Sequence, residues 1–147
     1  MNYRTILIAY DFSASAERAL AKGMELARQY SAEPWLIHVV DYLPPVDTTF
    51  GSVSSFEVDL TDQLVASAEK RLAELAEQNR IKPANCRVEV GSPKLEIIRV
   101  AESVGADLIV MGSHGRHGLG RLLGSTAAGV VNHATCDVLA VRLPESP

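Results

Sequence analysis

The residues of this 147-residue chain best suited to chemistry lie late, in the run Met111-Gly112-Ser113-His114-Gly115-Arg116-His117-Gly118-Leu119-Gly120-Arg121-Leu122-Leu123-Gly124-Ser125-Thr126. Six of the ten glycines fall between Gly112 and Gly129. Glycine lets backbone N–H groups approach an anion with no Cβ in the way, and a helix opening near Ser125 would direct its positive end at that anion. The Ser125 and Thr126 hydroxyls add donors, and Arg116 and Arg121 could clamp a phosphate or lie on its rim. Together these types and spacings describe a phosphate cradle, although the glycines alone would also suit a plain surface loop.

Several phosphate and metal chemistries are excluded by placement. The chain has no GxxxxGK[ST], and the glycine-rich run follows the fourth apolar strand, whereas a dinucleotide fingerprint or a flavodoxin phosphate loop follows the first. A phospho-acceptor receiver would need clustered acids and an aspartate closing the third strand, where this chain has Val90-Gly91. His114 and His117 have a spacing that could suit a metal, but no third ligand stands near them, so no metal is assigned and anion contact is the better reading. His114-Gly115-Arg116-His117 also echoes the signature of adenylyl-transferring enzymes, at the wrong strand.

The elements that must hold this run are legible from periodicity. Short apolar runs at Thr5–Tyr10, Trp35–Val40, Cys86–Val90, Ala106–Met111 and Cys136–Leu143 predict five strands. Between them, Ala16, Ala19, Leu20, Gly23, Ala27 and Tyr30 mark a helix that the polar stretch Asp11–Ser15 can cap. Leu60, Leu64, Ala68, Leu72 and Leu75 mark a second over about Phe56–Asn79. Leu95, Ile98, Ala101 and Val104 mark a third, entered through Ser92-Pro93 and stopped by Gly105. Ala127, Val130, Val131 and Ala134 mark the last. The stretch Tyr42–Ser55, with Pro44-Pro45 and Gly51, has no period and reads as a loop.

Strict alternation of strand and helix predicts an α/β three-layer sandwich: a five-stranded parallel sheet with four helices on its two faces. Ligands of such sheets bind beyond the carboxyl ends of the strands, which selects Asp11, Asp41, Gly91 and the run from Gly112. Asp11 also suits the first turn of a helix as a dipole-favoured acid, and both roles could coexist. His38 reads as a satisfied core histidine, and His133 as a charge near a helix C-terminus.

Composition agrees with one ordered domain over residues 1–147. The chain is 47% hydrophobic and 22% charged, with a net charge of −4, which excludes disorder. A chain of this size buries roughly 70% of its unfolded surface without metal or disulfide staples. The 14 basic residues are scattered, so neither nucleic acid nor an anionic membrane is expected as partner. No targeting segment or membrane span is read, and Cys86 and Cys136, far apart and outside any CxxC, are expected as buried reduced thiols in a cytoplasmic protein.

Along nearly its whole length the chain resembles the universal stress protein A superfamily. The resemblance is carried by Ile6-Leu7-Ile8-Ala9-Tyr10-Asp11-Phe12-Ser13, His38-Val39-Val40, Gly112-Ser113-His114-Gly115, Leu123-Gly124-Ser125 and Cys136-Asp137-Val138-Leu139-Ala140-Val141. It implies strand order 3-2-1-4-5, an adenine nucleotide alpha hydrolase-like architecture, and a homodimer formed through the last strand, Val138–Val141. In that family one subgroup binds ATP or AMP, and its pattern is Gly-x-x-Gly, nine residues, then Gly-Ser or Gly-Thr. Here Gly112, Gly115 and Gly124-Ser125 match, but only eight residues, Arg116 to Leu123, lie between.

Carried over position by position, the resemblance implies that Asp11 faces the adenosine end and that Ala9 and Tyr10 line the pocket. Val39 would meet adenine through its backbone. Met111, Gly112, His114 and Gly115 would wrap ribose and the first phosphate, with Arg116 beside them, and Gly124, Ser125 and Thr126 would hold phosphates. The expected ligand is ATP or AMP, with Mg²⁺ as a possible companion, in a stress protein that binds or regulates and at most hydrolyses ATP weakly. The alternative is a nucleotide-free protein-interaction module in which the shortened loop no longer accepts phosphate.

Overall fold

Short apolar runs bounded by turn residues suit strands covered on both faces, and the structure, a computed structural model describing residues 2–41, 55–114 and 122–144, buries the runs at 6–8 and 108–111 in that way. In chain order the elements are β1 (Thr5–Ala9), α1 (Ala14–Tyr30), β2 (Glu33–Asp41), α2 (Ser55–Asn79), a 3-10 turn (Pro83–Asn85), β3 (Cys86–Gly91), α3 (Pro93–Val104), β4 (Leu108–Gly112), α4 (Ser125–His133) and β5 (Asp137–Val141). The sheet order is β3-β2-β1-β4-β5, with every neighbouring pair parallel. Strand order therefore reverses at β1, which has β2 on one side and β4 on the other. The crevice above the β1 and β4 ends is where such a sheet leaves room for a ligand.

Alternation within β1 divides the core between the two faces. Ile6, Ile8 and Tyr10 join residues of α1 and α2, while Leu7 and Ala9 join residues of α3 and α4. Ile6, Leu7 and Ile8 are fully buried, which is why this strand shows no polar alternation. α1 begins at Ser13, whose hydroxyl accepts from the Ala16 N–H at 3.0 Å. α3 begins with Pro93 and ends at Gly105, whose φ of 70° suits glycine.

All four helical faces differ from expectation, α1 only at its last residue, Tyr30, which is exposed where the helix ends. In α3 the structure buries Ile97, Val100 and Ala101 and leaves Leu95 61% exposed. Apolar residues surround more than one side of this helix, so periodicity alone could not choose the stripe that meets β2 and the sheet. In α4 Ala127 and Val130 are buried, but Val131 is exposed. In α2 Ala68, Leu72 and Ala76 are buried whereas Leu60 and Leu64 are exposed, because this 25-residue helix, about 37 Å long, outruns the strands beneath it. Cys86 and Cys136 are free, and only half-buried instead of buried. Strand ends shift by a residue or two from the expected limits, chiefly at β5, which covers Asp137–Val141. Most of the expected loop Tyr42–Ser55 lies outside the described residues.

Candidate functional site

The site is built where β1 and β4 run out. Leaving β1, the buried Tyr10 keeps the sheet register by donating its N–H to the Ile37 carbonyl at 2.8 Å, and its own carbonyl accepts from His38 Nδ1 at 2.7 Å. A carbonyl partner assigns the proton to Nδ1 of that imidazole. The Tyr10 hydroxyl donates to Glu17, and burial first, then this acid, raises the phenol above its ordinary range. Asp11 follows, with Oδ1 accepting from the Ser13 N–H at 3.1 Å and from the Ser13 hydroxyl, so it braces the residue that caps α1. Phe12 adopts a φ of 63°, a left-handed conformation that a residue with a Cβ takes only when its surroundings hold it there. Those surroundings are visible: Tyr10 and His38 meet its ring edge-on at centroid distances of 5.0 and 4.7 Å, and the Arg71 guanidinium lies 3.7 Å above it.

At the end of β4 the backbone ties both ends of the glycine-rich run together. Ser113 donates its N–H to the Val141 carbonyl at 2.9 Å and accepts from the Gly124 N–H at 2.7 Å. Gly112 lies so close to α1 that a Cβ there would stand 2.2 Å from Ser15 Oγ and 3.0 Å from the Ser15 carbonyl carbon. The buried Ser15 hydroxyl in turn accepts from the His114 N–H at 3.5 Å, and Ser113 Oγ pairs with His114 Nδ1 at 3.0 Å. Among the described residues, none is a hydrogen-bond partner of the buried His114 Nε2.

Immediately after this junction α4 begins at Gly124, which has no side chain to cap it. Its first intrahelical bond runs from the Ala128 N–H to the Gly124 carbonyl at 2.8 Å, so the N–H groups of Ser125, Thr126 and Ala127 are left over by the helix geometry. Three free donors, the two hydroxyls and the positive end of a helix dipole suit an oxyanion.

These parts surround one cavity of about 660 Å³. Ten of the twelve expected site residues line it: Ala9, Tyr10 and Asp11 from β1 and its exit, Val39 from β2, Met111, Gly112 and His114 from β4 and its exit, and Gly124, Ser125 and Thr126 from the start of α4. Gly115 and Arg116 lie outside the described residues, as does His117. His38 bonds to the backbone as a structural histidine would, yet it also lines the cavity. His133 stays away from it, bonding the Gly129 carbonyl through Nδ1 at 3.0 Å in the last turn of α4.

Sequence reasoning missed Phe12 and the α2 wall, formed by Leu64, Ser67 and Arg71. One signal was present: Arg71 stands three residues after Ala68 and seven after Leu64, a cation on the helix's apolar stripe. Among the described residues no helix is long and apolar enough to cross a membrane.

The family model described as "Universal stress protein family" matches residues 2–142. Universal stress protein A homolog 2 of Coxiella burnetii is 41% identical over 146 residues, covering 99% of each chain. Among solved structures, the universal stress protein UspA from Lactobacillus plantarum superposes with a TM-score of 0.80 at 28% identity, covering 97% of this chain and 99% of that one. A universal stress protein solved in complex with cAMP superposes with a TM-score of 0.69 at 26% identity, over 97% of this chain and 98% of that one.

Proposed function

Because the chain belongs to the universal stress protein family, we propose that the cavity above β1 and β4 binds an adenine nucleotide, ATP or AMP, and that the protein acts as a nucleotide-binding regulator in a stress response. The observation that carries this reading is the uncapped start of α4: Gly124, Ser125 and Thr126 open into a cavity whose other walls are largely apolar side chains and strand ends. Phosphate belongs at the α4 end, and the adenosine moiety along Ala9, Asp11 and Val39. A relative's complex with cAMP supports an adenine ligand in this fold. Magnesium would arrive on the phosphate oxygens, since Asp11 and Asp41 are the carboxylates that line the cavity among the described residues.

The proposal extends to a homodimer paired through β5. Val138, Leu139 and Ala140 of this edge strand are half-buried, and an apolar edge needs cover. At the opposite edge, Glu89 of β3 accepts from Arg87 at 2.6 Å and Arg99 at 3.2 Å, a charged network that discourages pairing there. Sedimentation at tens of micromolar should find a dimer, and a monomer would count against this part.

Calorimetric titration with ATP and AMP, with and without Mg²⁺, tests the main reading. Saturable binding is expected, and Gly115→Val should weaken it far more than His133→Ala, since His133 lies outside the cavity. No saturable binding up to millimolar nucleotide would refute it and favour an interaction module. Multiple-turnover phosphate release abolished by Asp11→Asn would add catalysis to the role.

A further inference from the structure

The α2 wall assigns a role to a residue that the phosphate cradle does not use. The C-terminal part of α2 packs down through Ala68, Leu72 and Ala76, while Leu64 lines the cavity and is still 50% exposed. The helix therefore overhangs the cavity and presents Leu64, Ser67 and Arg71 to it from one face. Arg71 is the charged member of that face. Its guanidinium carbon lies over Phe12, 3.7 Å from the ring centroid, and Phe12 in turn meets the Tyr10 and His38 rings edge-on in a left-handed backbone conformation. A cation–π contact holds the guanidinium over the ring without consuming its N–H donors. None of the ion pairs among the described residues involves Arg71.

Position then selects what those donors meet. α2 packs on the sheet face that carries Ile8 and Tyr10, and α4 on the face that carries Leu7 and Ala9, so Arg71 and Ser125-Thr126 line the cavity from opposite layers. We propose that Arg71 is a specificity-determining residue that reads hydrogen-bond acceptors on the nucleoside end of the ligand, with Phe12 as the platform that aims it. This rests on the nucleotide reading above: with phosphate at α4, the group facing Arg71 is the base or ribose. Purine ring nitrogens and ribose oxygens are acceptors that a planar fork can engage, and a fork discriminates where a lysine point charge cannot.

The test compares AMP with adenosine, by calorimetry at one ionic strength, on the wild type, Arg71→Met and Arg71→Lys. Methionine keeps an apolar stem over Phe12 and removes the fork. Arg71→Met should weaken both ligands by about the same factor, roughly tenfold, and Arg71→Lys should recover little of it. The thermal midpoint should fall by no more than a few degrees, because Arg71 is exposed and contributes a single cation–π contact to the fold. A loss with AMP alone would make Arg71 a phosphate contact and overturn the proposal. Unchanged affinities, or a wild type that binds AMP but no adenosine in the millimolar range, would also overturn it while leaving nucleotide binding intact. A wild type that binds neither ligand would remove both readings.

Discussion

Replacing Gly112 by alanine tests the joint on which the site depends. The new Cβ would stand 2.2 Å from Ser15 Oγ, 2.8 Å from Ser15 Cβ and 3.0 Å from the Ser15 carbonyl carbon. Turning the serine hydroxyl away relieves only the first contact, because the other two involve atoms fixed by the helix. Ser15 is 1% exposed and sits in the first turn of α1, so relief requires β4 and α1 to separate. Overpacking of this kind costs typically 1–3 kcal/mol, and a contact with backbone belongs at the upper end, about 3 kcal/mol. For a chain of 147 residues that is a fall of about 10 °C in thermal midpoint. Urea unfolding of a double-mutant cycle assigns the cause. In a Ser15→Ala background Gly112→Ala should cost about 1 kcal/mol less, and in a Ser15→Gly background less again, as first Oγ and then Cβ is removed. Additive effects would refute the idea that Ser15 is what Gly112 must clear.

Other glycines separate close approach from mere presence in a helix. At Gly129 the atoms nearest an added Cβ all belong to the Lys94 side chain, Cδ at 2.1 Å and Cγ at 2.8 Å, and a flexible stem can swing aside. Gly129→Ala should therefore stabilise the protein by about 0.5–1 kcal/mol through helix propensity, read by urea denaturation. Gly23→Ala gains the same propensity but places Cβ 2.7 Å from Ile8 Cδ1 and Cγ1 in the core, so a net loss of about 1–2 kcal/mol is expected. For pH, the hydrogen bond from Asn85, then that from Lys82, holds the Glu33 carboxyl below its ordinary range. The stability it contributes is fully present above the unfolded carboxylate pKa and disappears as pH falls through the lower folded one. Glu33→Gln should flatten that part of the acid limb in urea midpoints taken from neutral pH downward, and an unchanged slope would remove Glu33 from the linkage.

Much of the site was legible before any coordinates. The strand ends named Asp11 and Gly112, because alternation of strand and helix leaves few places where a parallel sheet can accept a ligand. The glycine, serine and threonine at 124–126 suggested a helix start suited to an anion, because a glycine there leaves the first N–H groups uncovered and the two hydroxyls add donors. The α3 stripe was not legible: Leu95 and Ile97 are both apolar, and only the packing direction of the crossover decides which one meets the sheet. The placement of Arg71 was only hinted at by its position on the apolar stripe of α2, since a cation on a helix ordinarily faces water and only the overhang of α2 turns this one toward a cavity.

Local chemistry, then, is what the order of residues determines: the cap at Ser13, the helix start at Pro93, the stop at Gly105, and donors gathered after Gly124. These act within a turn or two of backbone, so a linear reading contains them. The tertiary structure decided distances between segments some sixty to a hundred residues apart: the close pass of Gly112 over Ser15, the hydrogen bond that the Thr5 N–H donates to the Asp107 carboxylate, and the placement of Arg71 over Phe12. Such contacts depend on strand order and helix length together, and no single stretch of sequence carries either.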